Sequence, residues 1–194
     1  MARVCVFAGS ATGNQPAHAA AAHALGSALG HRGLGLVYGG STWGLMGLCA
    51  EAALAAGAEV QGVLPSQLAH SEIPHQGLTR LHLVDGLAER KAMMFGLSAA
   101  VVALPGGSGT LDELFEAVTL RQLGMLSLPI GLLDAGGFYQ PLLRFLEQAR
   151  EQGLLAPRIL EGLVVRSEAG ALLDALGLAQ GGAGPHSKTT VLLA

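Results

Sequence analysis

The chain has 194 residues, 51% of them hydrophobic and only 13% charged, with a formal net charge of −3. It is too apolar for disorder, long enough for one domain with a sizeable core, and too poor in Lys and Arg to favour a nucleic-acid polyanion as partner. Residues 33–50 and 92–111 lack charge over membrane-span lengths. Glycine clusters break both stretches and Pro105 breaks the second, so no membrane segment is expected.

In chain order, residues 3–8 read as a first strand, too short an apolar run for a signal peptide, ending in G-S-A-T-G-N. Pro16 opens an alanine-rich helix to His31. A second strand is expected over 34–38, a helix over 45–56, and a third strand over 59–64, closed by Pro65. Residues 67–76 are irregular or partly helical. A fourth strand over 79–84 and a helix over 87–97 follow, then a strand over 100–104 and a helix over 110–123. The last elements are strands over 129–133 and 163–165 and helices over 138–152 and 168–176. One domain over 1–178 and a tail over 179–194, with disorder expected at its end, complete the reading.

Strands alternating with helices imply a Rossmann-like α/β fold, a parallel sheet with right-handed crossovers and helices on both faces. Such sheets bind ligands beyond the strands' C-terminal ends, at a topological switch point. Three loops rich in small residues follow strands there: 9–14 with Ser10, 39–44 with Gly39 and Gly40, and 106–109. Cys5 and Cys49 form no C-x-x-C, so reduced core cysteines and a cytoplasmic location are expected.

Residues 100–123 carry the chemistry. An apolar strand runs into P-G-G-S-G-T and then into helical spacing at Leu111, Leu114, Phe115 and Val118. Strand, glycine turn and helix N-terminus together suit an anion, and the glycines are expected to supply positive φ and room for a ligand. The loop lacks the lysine of a P-loop and the spacing of G-x-G-x-x-G. Thr110 and Glu113 fit a capping box, which would make Glu113 a structural residue. Glu113 equally suits a carboxylate beside a sugar, orienting water and balancing an oxocarbenium-like charge. Arg90, in the one dense charge cluster Glu89-Arg90-Lys91, is either on a solvated face or forks onto a phosphate or ribose hydroxyl. The histidines, such as His18 and His23 or His70 and His75, lie five apart and form no metal pattern.

These residues together resemble the LOG (Lonely Guy) family, the cytokinin riboside 5′-monophosphate phosphoribohydrolases. The resemblance spans residues 3–165 and rests on four blocks in order. They are Y-G-G-S-T-W-G-L-M-G from Tyr38, the pair Arg90-Lys91, the signature P-G-G-S-G-T-L-D-E from Pro105 to Glu113, and T-L-R-Q-L-G from Thr119. It implies a Rossmann-like fold, a homodimer and hydrolysis of the N-glycosidic bond of a nucleoside 5′-monophosphate. Adenine or an N6-prenylated adenine leaves and ribose 5-phosphate remains, with no metal or organic cofactor. Glu113 and Arg90 match the family's catalytic pair. Gly106, Gly107, Ser108, Gly109 and Thr110 match the phosphate loop, and Glu72, Lys91 and Thr119 further substrate contacts. Ser10, Gly39 and Gly40 complete the expected binding set. The chain departs from the family in Leu87-Ala88, where M-H is usual, in Ser41 for a third glycine, which would narrow the backbone's approach, and in Leu120 for Trp. Met93, Met94 and Leu120 are candidate walls for a prenyl tail. The apolar excess over 87–97 and 111–123 points to a two-fold interface. The label "lysine decarboxylase", often attached to such relatives, would require pyridoxal phosphate on a Schiff-base lysine, and Lys91 is the only lysine before the tail. A non-catalytic nucleotide-binding module is the alternative.

Overall fold

In the computed structural model, residues 1–68 and 73–178 are described. The tail over 179–194 and the site candidate Glu72 lie outside them. Strands β1 (Arg3–Phe7), β2 (Gly35–Tyr38), β3 (Val60–Pro65), β4 (Arg80–Val84), β5 (Ala100–Ala103), β6 (Ile130–Leu133) and β7 (Leu163–Arg166) form one sheet. Its order is β4-β3-β2-β1-β5-β6-β7, with every pair parallel. The chain winds outward from β1 to β4, then returns to lay β5 against the other side of β1. The switch point therefore lies between β1 and β5, and the loops after these two strands meet there.

Alternation within the strands sorts the core into two layers. Val4 and Val6 of β1, Leu36 and Tyr38 of β2, and Ala100 and Val102 of β5 face one layer. It is covered by α1 (Pro16–His31), α2 (Gly44–Ala55) and α7 (Ala169–Ala175). Cys5, Phe7, Val37, Val101 and Ala103 face the other. That layer is covered by α3 (Leu87–Gly96), α4 (Ser108–Gln122), α5 (Gln140–Glu151) and α6 (Pro157–Glu161).

Four expectations shift. The helix after the third loop, α4, begins at Ser108 rather than at residue 110. Pro65 does not close β3 from outside but ends it, paired with Val84; its missing N–H costs little at a strand end. The helix expected from residue 138 starts at Gln140, because a tight 3₁₀ turn, Ala135–Gly137, with Gly136 at φ 62°, reverses the chain first. The short α6, opened by Pro157, was hidden by having too few residues for a visible period.

Helices α1 and α2 follow β1 and β2, and their contact sets the spacing of the loops above. It is made of backbone. A Cβ on Gly26 would lie 2.2 Å from the Cys49 carbonyl oxygen, and one on Gly30 would lie 2.4 Å from Ala56 Cβ. Helix propensity favours Gly26→Ala by about 1 kcal/mol. Overpacking against backbone opposes it by about 1–3 kcal/mol or more. The steric term wins, and urea denaturation of Gly26→Ala should show a net loss of stability; a gain would mean that the two helices can separate freely.

Candidate functional site

At the switch point the two loops touch backbone to backbone. Gly9 N–H donates to the Pro105 carbonyl at 3.1 Å. A Cβ on Gly106 would sit 2.1 Å from Thr110 Oγ1 and 3.0 Å from Gly9 N, so no larger residue fits there without moving the loop. The Gly9 carbonyl accepts the N–H groups of Leu45 (3.0 Å) and Met46 (3.4 Å), the first turn of α2. Gly44 makes this contact possible. Its φ is +59°, and a Cβ would lie 2.3 Å from the carbonyl carbon of Ser10. The donors of α2 are thus engaged within the protein, while Ser10 itself is exposed.

Helix α4 is arranged differently. Its N-cap is Gly107, in extended backbone at φ −91°, ψ −152°, with no side-chain cap. Two expectations fall here. Thr110 is the third residue of the helix, not its cap, so the capping-box pairing with Glu113 is not formed and Glu113 stands in the second turn. None of Gly106, Gly107 and Gly109 has positive φ. Glycine at 107 and 109 leaves space instead. A Cβ on either would meet nothing within 4 Å, and both, with Ser108, face solvent at the helix's positive end, while Thr110 is buried behind them.

On the same face of the sheet, α3 brings Arg90 under the loop that follows β2. Arg90 is 7% exposed, and its Nη2 donates to the Gly39 carbonyl at 3.1 Å. A Cβ on Gly39 would lie 2.0 Å from that nitrogen. Arg90 Nε is buried with no hydrogen-bond partner among the described residues. Burial pushes the Cys5 thiol on β1 well up; the Glu113 carboxylate adds to the rise and the Arg90 guanidinium opposes it. Both charges therefore stand within electrostatic reach of one buried sulfur on β1.

Lys91, next to Arg90 on α3, is paired within the protein. Its Nζ donates to Asp112 at 2.9 Å and pairs with Glu116, both on α4. Burial would lower this ammonium, but the hydrogen bonds from the two carboxylates outweigh it and hold it above the ordinary lysine range. Gly39 and Gly40 are buried, and Gly40 accepts the His75 N–H at 3.0 Å. Ser41 is fully buried, and its hydroxyl accepts Trp43 N–H at 3.2 Å, so its side chain serves the turn into α2. Met94 is fully buried and walls no slot, whereas Met93 and Leu120 are half-buried. Thr119 and Leu120 lie with Ser108, Leu111 and Phe115 along an open groove of about 680 Å³ on α4.

Sequence reading passed over two groups. Asp112 and Glu116, four apart on one helical face, were the natural partners of a lone lysine. Asp134 and Tyr139, at the C-terminal edge of β6, carried only the signal of an Asp before a glycine pair. Among the described residues no group of three or more His, Cys, Asp or Glu could hold a metal ion.

A doubly wound parallel sheet with helices on both faces defines a Rossmann-like protein. The family model described as "Possible lysine decarboxylase" matches residues 46–176. The chain is 44% identical over 154 residues to the cytokinin riboside 5′-monophosphate phosphoribohydrolase LOG of Oryza sativa subsp. japonica, covering 79% of this chain and 64% of that protein. It is 44% identical over 155 residues to the cytokinin riboside 5′-monophosphate phosphoribohydrolase LOG1 of Arabidopsis thaliana, covering 80% of this chain and 73% of that one. A solved structure of the molybdenum cofactor binding protein from Rippkaea orientalis matches with TM-score 0.67 at 21% identity, over 91% of this chain and 95% of that one, a likeness of fold. The chain belongs to the LOG family.

The loop glycines separate by steric role, and melting temperature reads the difference. Gly106→Ala should lower it by roughly 4–10 °C, the equivalent of overpacking a tight site. Gly107→Ala, whose Cβ projects into open space, should melt within about 2 °C of the parent. Equal losses in the two variants would refute this division.

Proposed function

We propose that the chain hydrolyses the N-glycosidic bond of adenosine 5′-monophosphate, plain or N6-prenylated, releasing the base and ribose 5-phosphate. The observation that carries this reading is Arg90, a buried arginine whose Nη2 is held by the Gly39 carbonyl and whose Nε has no partner among the described residues. A buried cation with a donor left unfilled is costly unless something anionic or hydroxylated completes it. The relatives named for this activity, at 44% identity, support the same reading.

In this reading the 5′-phosphate lies on the backbone N–H groups at Ser108 and Gly109, favoured by the dipole of α4. Gly107 and Gly109 let it approach. Arg90 reaches the phosphate or a ribose hydroxyl, and the bare backbone of Gly39 is what allows it to sit there. As the C1′–N9 bond lengthens, positive charge develops on the ribose ring, and the Glu113 carboxylate balances it. A water adds its oxygen to C1′ as the C1′–N9 bond breaks and gives up a proton to Glu113, and the departing base takes a proton from solvent at N9. Lys91 serves from behind: by pairing with Asp112 and Glu116 it locks α3, which carries Arg90, to α4, which carries Glu113. Thr119 and Glu72 are assigned to substrate contact on the family motif.

The decarboxylase description of the family does not fit this chain. A Schiff-base lysine must lose its proton to attack an aldehyde. Lys91 is held as an ammonium between two carboxylates, above the ordinary lysine range after burial is set against those bonds. A binding module without chemistry would need the Arg90 cation but not a carboxylate facing the same polyanion. The two cysteines, free and buried, fit a cytoplasmic setting.

The test is incubation with AMP and with its N6-prenylated form, side by side, with free base and ribose 5-phosphate quantified. Absence of both products from both substrates would overturn the proposal. Since Glu113 is not a capping-box residue, Glu113→Gln should keep a near-native melting temperature yet lose on the order of 10²-fold in kcat. Arg90→Ala should weaken KM as well as kcat, because its contact exists in the ground state.

We also infer a two-fold dimer. Leu87 on α3 is 57% exposed, and Leu123 and Met125, just past α4, are 64% and 65% exposed. With Leu111, Phe115 and Leu120 in the α4 groove they are the apolar side chains that a two-fold interface would cover. Light scattering at micromolar concentration should give twice the chain mass of 19.7 kDa; a monomer mass would refute the inference.

A further inference from the structure

The connection between β6 and α5 carries more polar order than a turn requires. Asp134, 8% exposed, accepts the Tyr139 N–H at 2.7 Å on Oδ1 and the Gln140 side-chain amide at 2.6 Å on Oδ2. These bonds close the reversal through Gly136 and Gly137 and deliver Tyr139, 1% exposed, to the C-terminal edge of β5. There its hydroxyl donates to the Leu104 carbonyl at 2.7 Å. Burial, reinforced by the charge of Asp134, pushes that hydroxyl well above the ordinary tyrosine range, so it remains a donor.

Leu104 is the last residue before Pro105. Its N–H continues the ladder to the Phe7 carbonyl at 2.9 Å, but its own carbonyl points out of the sheet to Tyr139. The next carbonyl, that of Pro105, accepts Gly9 N–H at 3.1 Å. Between them the proline ring fixes φ. Two successive peptide planes are therefore held from two sides, immediately before Gly106 and Gly107. Phe138 packs between Tyr139 and the first loop. It stands edge-to-face on Tyr139 (5.1 Å between centroids) and on His18 (5.4 Å), and His18 backs Gly13. Burial alone does not impose such a bond in this protein, for the equally buried Tyr38 hydroxyl has no partner among the described residues.

We propose that Tyr139 is a positioning residue of the anion loop. Its hydroxyl sets the Leu104–Pro105 peptide, and through it the direction in which the loop's N–H groups meet a sugar phosphate. This rests on the phosphoribohydrolase reading above.

The test uses the full chain, Tyr139→Phe, and ribose 5-phosphate as probe by calorimetry, together with AMP kinetics. Loss of one loop-orienting hydrogen bond should weaken ribose 5-phosphate by about 10-fold. KM should rise in step while kcat changes little, because the interaction is the same in ground and transition states. Phe138→Leu, which disturbs the ring packing but keeps the hydroxyl, should bind like the parent. The inference is overturned if Tyr139→Phe binds within twofold of the parent, or if Phe138→Leu loses as much. Should Tyr139→Phe not fold, the parent labelled with 3-fluorotyrosine decides. Its Tyr139 resonance, assigned with Tyr38→Phe, should move on saturation with ribose 5-phosphate, and a resonance unmoved at saturation overturns the inference. A parent chain that neither binds ribose 5-phosphate nor releases base refutes the phosphoribohydrolase reading and this inference with it. A parent that does both beside an indifferent Tyr139→Phe refutes only the latter.

Discussion

A guanidinium placed under a sheet edge with almost no solvent contact is the constraint around which this fold is arranged. Arg90 can occupy its position only because Gly39 has no side chain, and its burial is tolerable only while partners surround it. Gly39 follows β2, Arg90 stands on α3, and Glu113 on α4 lies within electrostatic reach of the same buried Cys5 thiol. Three elements far apart in sequence must therefore hold a common geometry. The Lys91 pair to Asp112 and Glu116 lies next to Arg90 on the same helix, so the neighbour of the buried cation is itself the tie between the two helices.

The glycines do unlike work. Those at 26, 30, 39 and 106 are places where two parts of the chain approach more closely than any side chain allows, and Gly44 adds a left-handed turn to the same function. Gly107 and Gly109 touch nothing and take ordinary backbone angles. The first group builds the crevice, and the second leaves it open. The same division separates the helix N-termini, since α2 directs its donors to the Gly9 carbonyl while α4 presents its first turn to solvent.

Much of this was legible in the amino-acid sequence, and the limits have physical causes. The alternation of short β-branched runs with longer periodic segments announced a parallel sheet, and the small-residue loops announced its ligand edge. Arg90 and Glu113 stood out because charge is scarce in this chain. The start of α4 was misplaced because a glycine at the N-cap and another in the first turn look like loop, and only the backbone angles distinguish them. For the same reason a capping box was read where the helix had already begun. The family motif makes Lys91 a substrate contact, and its pairing with Asp112 and Glu116 across two helices leaves no local mark in the sequence. Tyr139 was invisible, since its partner is a backbone carbonyl 35 residues away. The strand order, which decides that the first and third loops meet, follows from packing that no local pattern encodes.

That order also bears on how the protein comes into being. Strands β1 to β4 lie within residues 3–84 and form one contiguous half of the sheet. As the chain is made, this half can pair strand by strand with each addition next to the last. One edge of β1 stays unmatched throughout, until β5 at Ala100–Ala103 arrives to cover it. The crevice where the two loops touch is therefore assembled last among the contacts of β1. A newly made chain carries the first loop exposed along a bare strand edge, the kind of surface that chaperones shield, for as long as synthesis takes to cross the third and fourth strands and the helix that bears the arginine.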